Sequence, residues 1–242
     1  MTSEKSAIIL AGGQGKRMGS DLPKVLHEIK GKPMIFYTLE HLREAGFDQI
    51  IVLVGHKKEE VMNAIGKSLV YAVQSEPLGT GDAAFQALKE LDPTIKHALI
   101  VNGDDSAFYN PKTFSEIHDK HVGENAVITF ATATLDDPFG IGRVVRDRSG
   151  NLVKIIEEKE ANEEERRIKE ANIGLYVFDI LWLKENAPNI RKSDSGEYYI
   201  VDLIEMAINQ GEKVTTFQVS VDEWHGINTP EQLAAAQEKM KK

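Results

Sequence analysis

The chain has 242 residues, 41% of them hydrophobic and 28% charged, a balance that excludes disorder; no apolar run reaches the ~18 residues of a membrane span. Cysteine is absent, which excludes disulfides and thiolate metal sites, and 29 basic against 38 acidic side chains leave a net charge of −9 that repels nucleic acid at long range. The polar start leads into an apolar run too short for a signal peptide, so the cytoplasm is the expected compartment.

Short aliphatic runs alternate with helical-period segments through the first half, the pattern of a doubly wound α/β fold with a mostly parallel sheet covered on both faces. Residues 7–11, 49–54, 69–73, 98–101 and 126–131 read as buried strands bounded by Gly, Asn, Asp or Lys. Between them, helices are expected from Pro33 to about Ala45 with Gly46 closing it, and over 58–65, 82–91 and 111–121. From Gly142 the texture changes. Residues 143–147 and 152–157 read as two strands joined by the turn residues Arg148, Ser149, Gly150 and Asn151, an inserted hairpin beside the main sheet. Asn162 stands three residues before Glu165, the spacing of a capping box on a solvated acidic helix, and a strand is expected over 171–178. Thr229, Pro230 and Gln232 fit the N-cap, N1 and N3 positions of a last helix, which puts Asn228 at a loop-to-helix corner. There is no internal repeat or linker, so the expectation is a single domain over 1–242.

The strongest local signal follows the first strand: Leu10, Ala11, Gly12, Gly13, Gln14, Gly15, Lys16, Arg17 and Met18. In a doubly wound sheet this position opens onto the ligand crevice. Three glycines allow unusual dihedrals and bring N–H groups to phosphate oxygens, while Lys16 and Arg17 add positive charge. A dinucleotide fingerprint fails because Met18 stands where glycine or alanine is required. A P-loop fails because Leu10 stands in place of glycine and Arg17 in place of serine or threonine.

With this loop the chain resembles the sugar-1-phosphate nucleotidyltransferase family, in particular its bacterial uridylyltransferase members that act on N-acetylglucosamine-1-phosphate. The loop is followed by Ser20, Asp21, Leu22, Pro23, Lys24, Val25, Leu26 and His27, then Gly31, Lys32, Pro33 and Met34, as in that family's first block. Residues 74–83, 136–143, 156–159, 172–174, 196–202 and 226–228 resemble its later blocks, so the likeness spans nearly the whole chain.

The resemblance implies a Rossmann-like nucleotidyltransferase fold with the hairpin on the sugar side. The implied reaction is attack of a sugar-1-phosphate oxygen on the α-phosphorus of UTP, releasing pyrophosphate. Such a nucleophile arrives ionised, so positioning and charge neutralisation carry the catalysis. By the same resemblance Arg17 and Lys24 are catalytic, Arg17 on the leaving phosphates and Lys24 near the α-phosphate. Leu10, Ala11, Gly12 and Gly13 hold the nucleotide, and Gln74, Gly79, Thr80 and Gly81 read its base. Gly142, Glu157 and Asn172 meet the sugar, and Asp104 with Asn228 holds Mg²⁺. Asp105 is an adjacent rival ligand. The implied partners are small molecules, UTP and a sugar-1-phosphate, with no nucleic acid and no membrane. A glucose-1-phosphate enzyme of the same family and a non-catalytic nucleotide-sugar sensor are the alternatives.

The chain departs from the family at Gly12, where alanine is usual, at Lys16 in place of threonine, and over 103–107, which lacks the expected proline and leucine. No hexapeptide-repeat acetyltransferase domain follows within the 242 residues. His118 and His121 lie three apart on an expected helix and, with no cysteine near them, read as solvent-facing rather than as a zinc site; Trp224 and Phe36 read as packing residues.

Overall fold

A computed structural model describes residues 5–240. In chain order the elements are β1 (Ser6–Ala11), β2 (Glu28–Ile29), β3 (Lys32–Pro33), α1 (Met34–Glu44), β4 (Gln49–Val54), α2 (Lys58–Ile65), β5 (Val70–Val73), α3 (Thr80–Ala87), β6 (His97–Asn102), α4 (Pro111–Glu124), β7 (Ile128–Thr134), β8 (Arg143–Arg146), β9 (Leu152–Ile156), α5 (Glu163–Arg166), β10 (Glu170–Asp179), α6 (Ile180–Asn186), α7 (Asp202–Asn209), β11 (Val214–Gln218) and α8 (Pro230–Lys239). The main sheet runs β11-β7-β10-β6-β1-β4-β5. All of these strands are parallel except β10, which is antiparallel to both neighbours. The expected α/β class and mostly parallel sheet are therefore present.

Alternation along the strands divides the core between the two faces. Ile8 and Leu10 of β1 pack with Ile51 and Leu53 against α3, α6 and α7. Ala7, Ile9 and Ala11 pack with Ile50, Val52 and Val54 against α1 and α4. A smaller cluster of Ile29, Met34, Ala107, Ile227 and Ala236 docks the β2–β3 hairpin and α8. That cluster fixes the corner before α8 relative to the end of β6. β1 lies between β4 and β6, so the chain leaves it first to one side and later to the other. A crevice opens at the carboxyl end of β1, where the strand order reverses.

Several expectations need correction. Residues 69–73 read as a buried strand, but β5 is the sheet edge, and Val70 and Val73 are exposed. His118 and His121 face inward: α4 lays them on the sheet, where His121 Nδ1 lies 3.0 Å from Thr129 Oγ1 and its Nε2 lies 3.2 Å from His97 Nδ1. Burial holds His121 down to about 3, and the neighbouring His97 and His118 act in the same direction, so its ring is neutral. No group of three or more His, Cys, Asp or Glu side chains is placed to hold a metal ion among the described residues. α6, α7 and β11 go unmarked in the sequence reading. α6 starts directly from β10 with Asp179 as its N-cap, accepting from the Trp182 N–H at 2.8 Å, and no glycine or proline announces the change. Asn162 does form the expected capping box, over a single short helix. No described helix is long and apolar enough to cross a membrane.

β10 breaks register between Asn172 and Tyr176. Gly174 sits in that break with φ of +71°, and a Cβ there would collide with the Asn102 side chain. Gly174→Ala is expected to cost about 1–3 kcal/mol through left-handed strain and that clash, read as a lower urea midpoint.

Candidate functional site

The crevice beyond β1 encloses about 640 Å³. Leu10, Ala11, Gly12, Gly13, Gln74, Gly79, Thr80, Lys24 and Asp104 line it, all anticipated from the sequence. Only Gly15 of the three loop glycines is left-handed, with φ of +61°; Gly12 and Gly13 are not, which corrects the expectation of unusual dihedrals throughout. Gly15 also lets the loop lie on Lys24, since a Cβ there would stand 2.8 Å from that of Lys24. The N–H groups of Gly13, Gln14 and Gly15 donate to no acceptor among the described residues, so they are free for an anion. Gly55, which the sequence reading passes over, lets the ends of β1 and β4 meet: a Cβ there would lie 2.9 Å from the Gly12 carbonyl oxygen.

Four polar side chains from distant segments converge at one side of this crevice. Lys24 stands on a single helical turn (Lys24–Leu26) anchored by the buried Val25 and Leu26. Its ammonium donates to Asp104 Oδ2 and, at 2.6 Å, to Asn228 Oδ1. Arg17 Nη2 donates to the same Asn228 oxygen at 2.8 Å. Asn228 is steadied at its corner by its N–H, which donates to Gln232 Oε1 at 2.7 Å. Burial lowers the Lys24 ammonium to about 8; the Asp105 carboxylate opposes that shift and the Arg17 guanidinium adds to it. Asp105, which does not line the crevice, accepts from Asn102 Nδ2 at 3.4 Å, and its Oδ1 is buried without a partner. Burial raises its carboxyl to about 7 against the pull of Lys24.

Asp104 and Asn228 present hard oxygens to one cation, here the lysine ammonium. This donor set fits a divalent ion such as Mg²⁺, which takes one or two protein oxygens and completes its shell with phosphate and water.

Gly142, Glu157 and Asn172 form a separate group that does not line the crevice volume. Asn172 donates its N–H to the Gly142 carbonyl at 2.9 Å, and a Cβ on Gly142 would lie 3.3 Å from Glu157 Oε1. Asn172 Nδ2 donates to the Tyr176 hydroxyl at 2.6 Å while its Oδ1 is buried and unpartnered. The loop bearing Gly142 is braced from below by Arg143, 2% exposed, whose guanidinium donates to the Ile141 carbonyl and, at 2.5 Å, to Glu158 Oε2. The same Glu158 oxygen accepts from the Gly140 N–H at 3.1 Å. Gly81 does not line the crevice either; it packs under Tyr198, donating to that carbonyl at 2.8 Å. Lys16, expected to add positive charge to the loop, lines the crevice too, as do Gln14, Asn102, Ser195, Glu197 and Tyr199, to which the sequence reading assigned no role. The glycine-bearing segment from Gly196 to Asp202 was the available signal for the last of these.

Among the described residues, the Glu157 carboxyl is raised to about 6, by burial first and then by the carboxylates of Glu160 and Asp202, with Lys159 and Arg143 opposing. A raised folded-state value means the fold favours the protonated form. That stabilising contribution is complete below 4.5, the ordinary value, and is lost as pH rises through about 6. Glu157→Gln is therefore expected to gain stability relative to the parent chain between those limits, measured by urea unfolding at a series of pH values.

Switch-point crevice, unpaired loop amides, convergent cations and hard oxygens together define an α/β protein built to hold a phosphorylated nucleotide. Residues 6–242 match the nucleotidyl transferase family, and the chain belongs to it. It is 40% identical over 240 residues to the bifunctional protein GlmU of Caldanaerobacter subterraneus subsp. tengcongensis, covering 99% of this chain and 52% of that one. The GlmU protein of Acetivibrio thermocellus is 41% identical over 232 residues, covering 95% and 50%. The chain thus spans about half the length of the curated relatives it matches. A solved structure of UDP-glucose pyrophosphorylase with UDP-glucose superposes with a TM-score of 0.83 over 98% of both chains at 16% identity, which shows a shared fold.

Proposed function

We propose that this chain is a Mg²⁺-dependent uridylyltransferase that joins UTP to N-acetylglucosamine-1-phosphate, giving the UDP-sugar and pyrophosphate. The observation that carries this reading is the meeting of Lys24, Arg17, Asp104 and Asn228 beside the open amides of the glycine loop. Two polyanions must be brought together in line, and this corner gathers positive charge inside a protein of net charge −9.

In the proposed reaction an oxygen of the sugar phosphate bonds to the α-phosphorus of UTP, and the bond from that phosphorus to the β-phosphate bridging oxygen breaks. No side-chain nucleophile is required, because the attacking oxygen is already ionised. The loop amides of Gly13 to Gly15 hold the triphosphate, and Arg17 neutralises the departing pyrophosphate. Lys24 holds the entering and α-phosphates, moving its ammonium from Asp104 and Asn228 to phosphate oxygen. Those two oxygen donors would hold Mg²⁺, which when bound supplies Lewis-acid neutralisation of phosphate charge. Gln74, Gly79 and Thr80 face the base. Gly142, Glu157 and Asn172 face the sugar, with the amide and carboxylate matched to its hydroxyls and acetamido group.

The test is pyrophosphate release across the common ribonucleoside triphosphates and several sugar-1-phosphates, with and without Mg²⁺. UTP with N-acetylglucosamine-1-phosphate and Mg²⁺ is expected to give the highest rate. Asp104→Ala is expected to lower it by about a hundredfold or more with an unchanged melting temperature. Full activity in that variant would move the metal site to Asp105, and silence across all combinations would make the chain a binding protein.

A further inference from the structure

Gln74 lies just past the end of β5, with its N–H donating to the Val54 carbonyl at 2.8 Å, so its backbone is fixed to the sheet. Its side-chain nitrogen donates to the Gly79 carbonyl at 3.0 Å and to Asp82 Oδ2 at 2.7 Å. A primary amide nitrogen carries two hydrogens, and both are thereby used. Both partners only accept. Turning the amide over would set its oxygen against two other oxygens, so the chemistry of the neighbours dictates the orientation. The remaining atom, Oε1, accepts nothing among the described residues and lies 3.4 Å from where a Cβ on Gly12 would stand, at the wall of the crevice.

Asp82 is itself held in place. It sits in the first turn of α3, where a carboxylate meets the positive end of the helix, and its Oδ1 accepts from Gln86 Nε2 at 3.0 Å. Gln86 Oε1 in turn accepts from Lys89 at 2.7 Å. This chain of side chains runs back along the helix and ends in one acceptor presented to the crevice. Asp82 does not line the crevice.

We propose that Asp82 is a positioning residue that sets pyrimidine choice, by locking Gln74 so that only its carbonyl oxygen faces the nucleobase. The proposal rests on the reading of this crevice as a nucleotide site. An acceptor complements the N3–H of uracil. Cytosine carries a bare acceptor at N3, which would leave two lone pairs facing each other out of water. A site built to pair one polar group rejects an analogue lacking it far more strongly than apolar packing can. The selectivity thus originates in a carboxylate that never touches the base.

The experiment is calorimetric titration of the intact chain with UTP and with CTP, repeated for Asp82→Asn and Gln86→Met. Asn at 82 can donate to Gln74 as well as accept from it, which permits the turned-over amide. The ratio of UTP to CTP affinity is expected to fall by about tenfold or more in Asp82→Asn. It is expected to fall by less in Gln86→Met, which only loosens Asp82. A merely structural role would weaken both nucleotides together, so a parental ratio in two folded variants overturns the proposal while leaving the nucleotide reading intact. If Asp82→Asn fails to fold, Gln86→Met decides alone by the same ratio. A parent chain that binds neither triphosphate overturns the nucleotide reading and this proposal with it.

Discussion

The Lys24 ammonium is the interaction on which the site depends. It draws a carboxylate from the end of β6 and an amide oxygen from the corner before α8 to a single point, across 80 and 204 residues of chain. Without a cation there, Asp104 and Asn228 would present oxygen to oxygen in a partly desolvated corner. The ammonium is also a partner that phosphate can take away. In the proposed reaction the lysine exchanges protein oxygens for phosphate oxygens just as the Asp104–Asn228 pair becomes available to a divalent ion. A site that bound its own charges more completely, with a second carboxylate for example, would hold the lysine too well.

Net charge is a poor guide to this local arrangement. A protein of −9 repels polyanions at a distance, yet loop amides with no acceptor among the described residues and two cations reverse the field over a few ångströms, inside the roughly 8 Å reach of unscreened charge. The amides cost nothing in net charge and cannot be neutralised by pH. Gly15 makes this geometry possible by letting the loop settle onto the Lys24 side chain, so the cradle and its cation are a single packed unit.

Much of the fold was legible because its signals are local. Alternating aliphatic runs specify β1, β4 and β6; Pro33 and Pro111 mark the starts of α1 and α4; Thr229 with Gln232 caps α8 as its spacing requires. The failures share a cause. β5 looks like its buried neighbours in composition, and only its place at the sheet edge, a property of topology, exposes Val70 and Val73. The histidines of α4 were misread because three-residue spacing says that two side chains share a face but not which face. α6 follows β10 with no breaking residue. The site shows the same division: the glycine loop is one contiguous signal, whereas Ser195, Glu197 and Tyr199 reach the crevice only because the segment before α7 folds back over α3. Their individual side chains carry no spacing rule that would reveal it.

The two ends of the site are built from different material, and this separates two kinds of specificity. The proposed base end rests on the parallel sheet and the first turn of α3, where Gln74 and Asp82 are fixed by backbone and side-chain bonds that leave no alternative orientation. The proposed sugar end stands on the β8–β9 insertion, joined to the main sheet through the pairing of Arg143 with Ala171 in β10. A buried guanidinium there bonds Glu158 and the Ile141 carbonyl, and Val144 and Ile155 of the insertion join the main core cluster. Residues 136–142 hang from that brace, with Phe139 78% exposed at their tip. A surface loop outside the sheet can change length and side chains without disturbing the parallel strands. On the proposed reading the sugar partner is the feature the fold leaves free to vary, while the nucleotide is tied to the sheet that makes the protein fold.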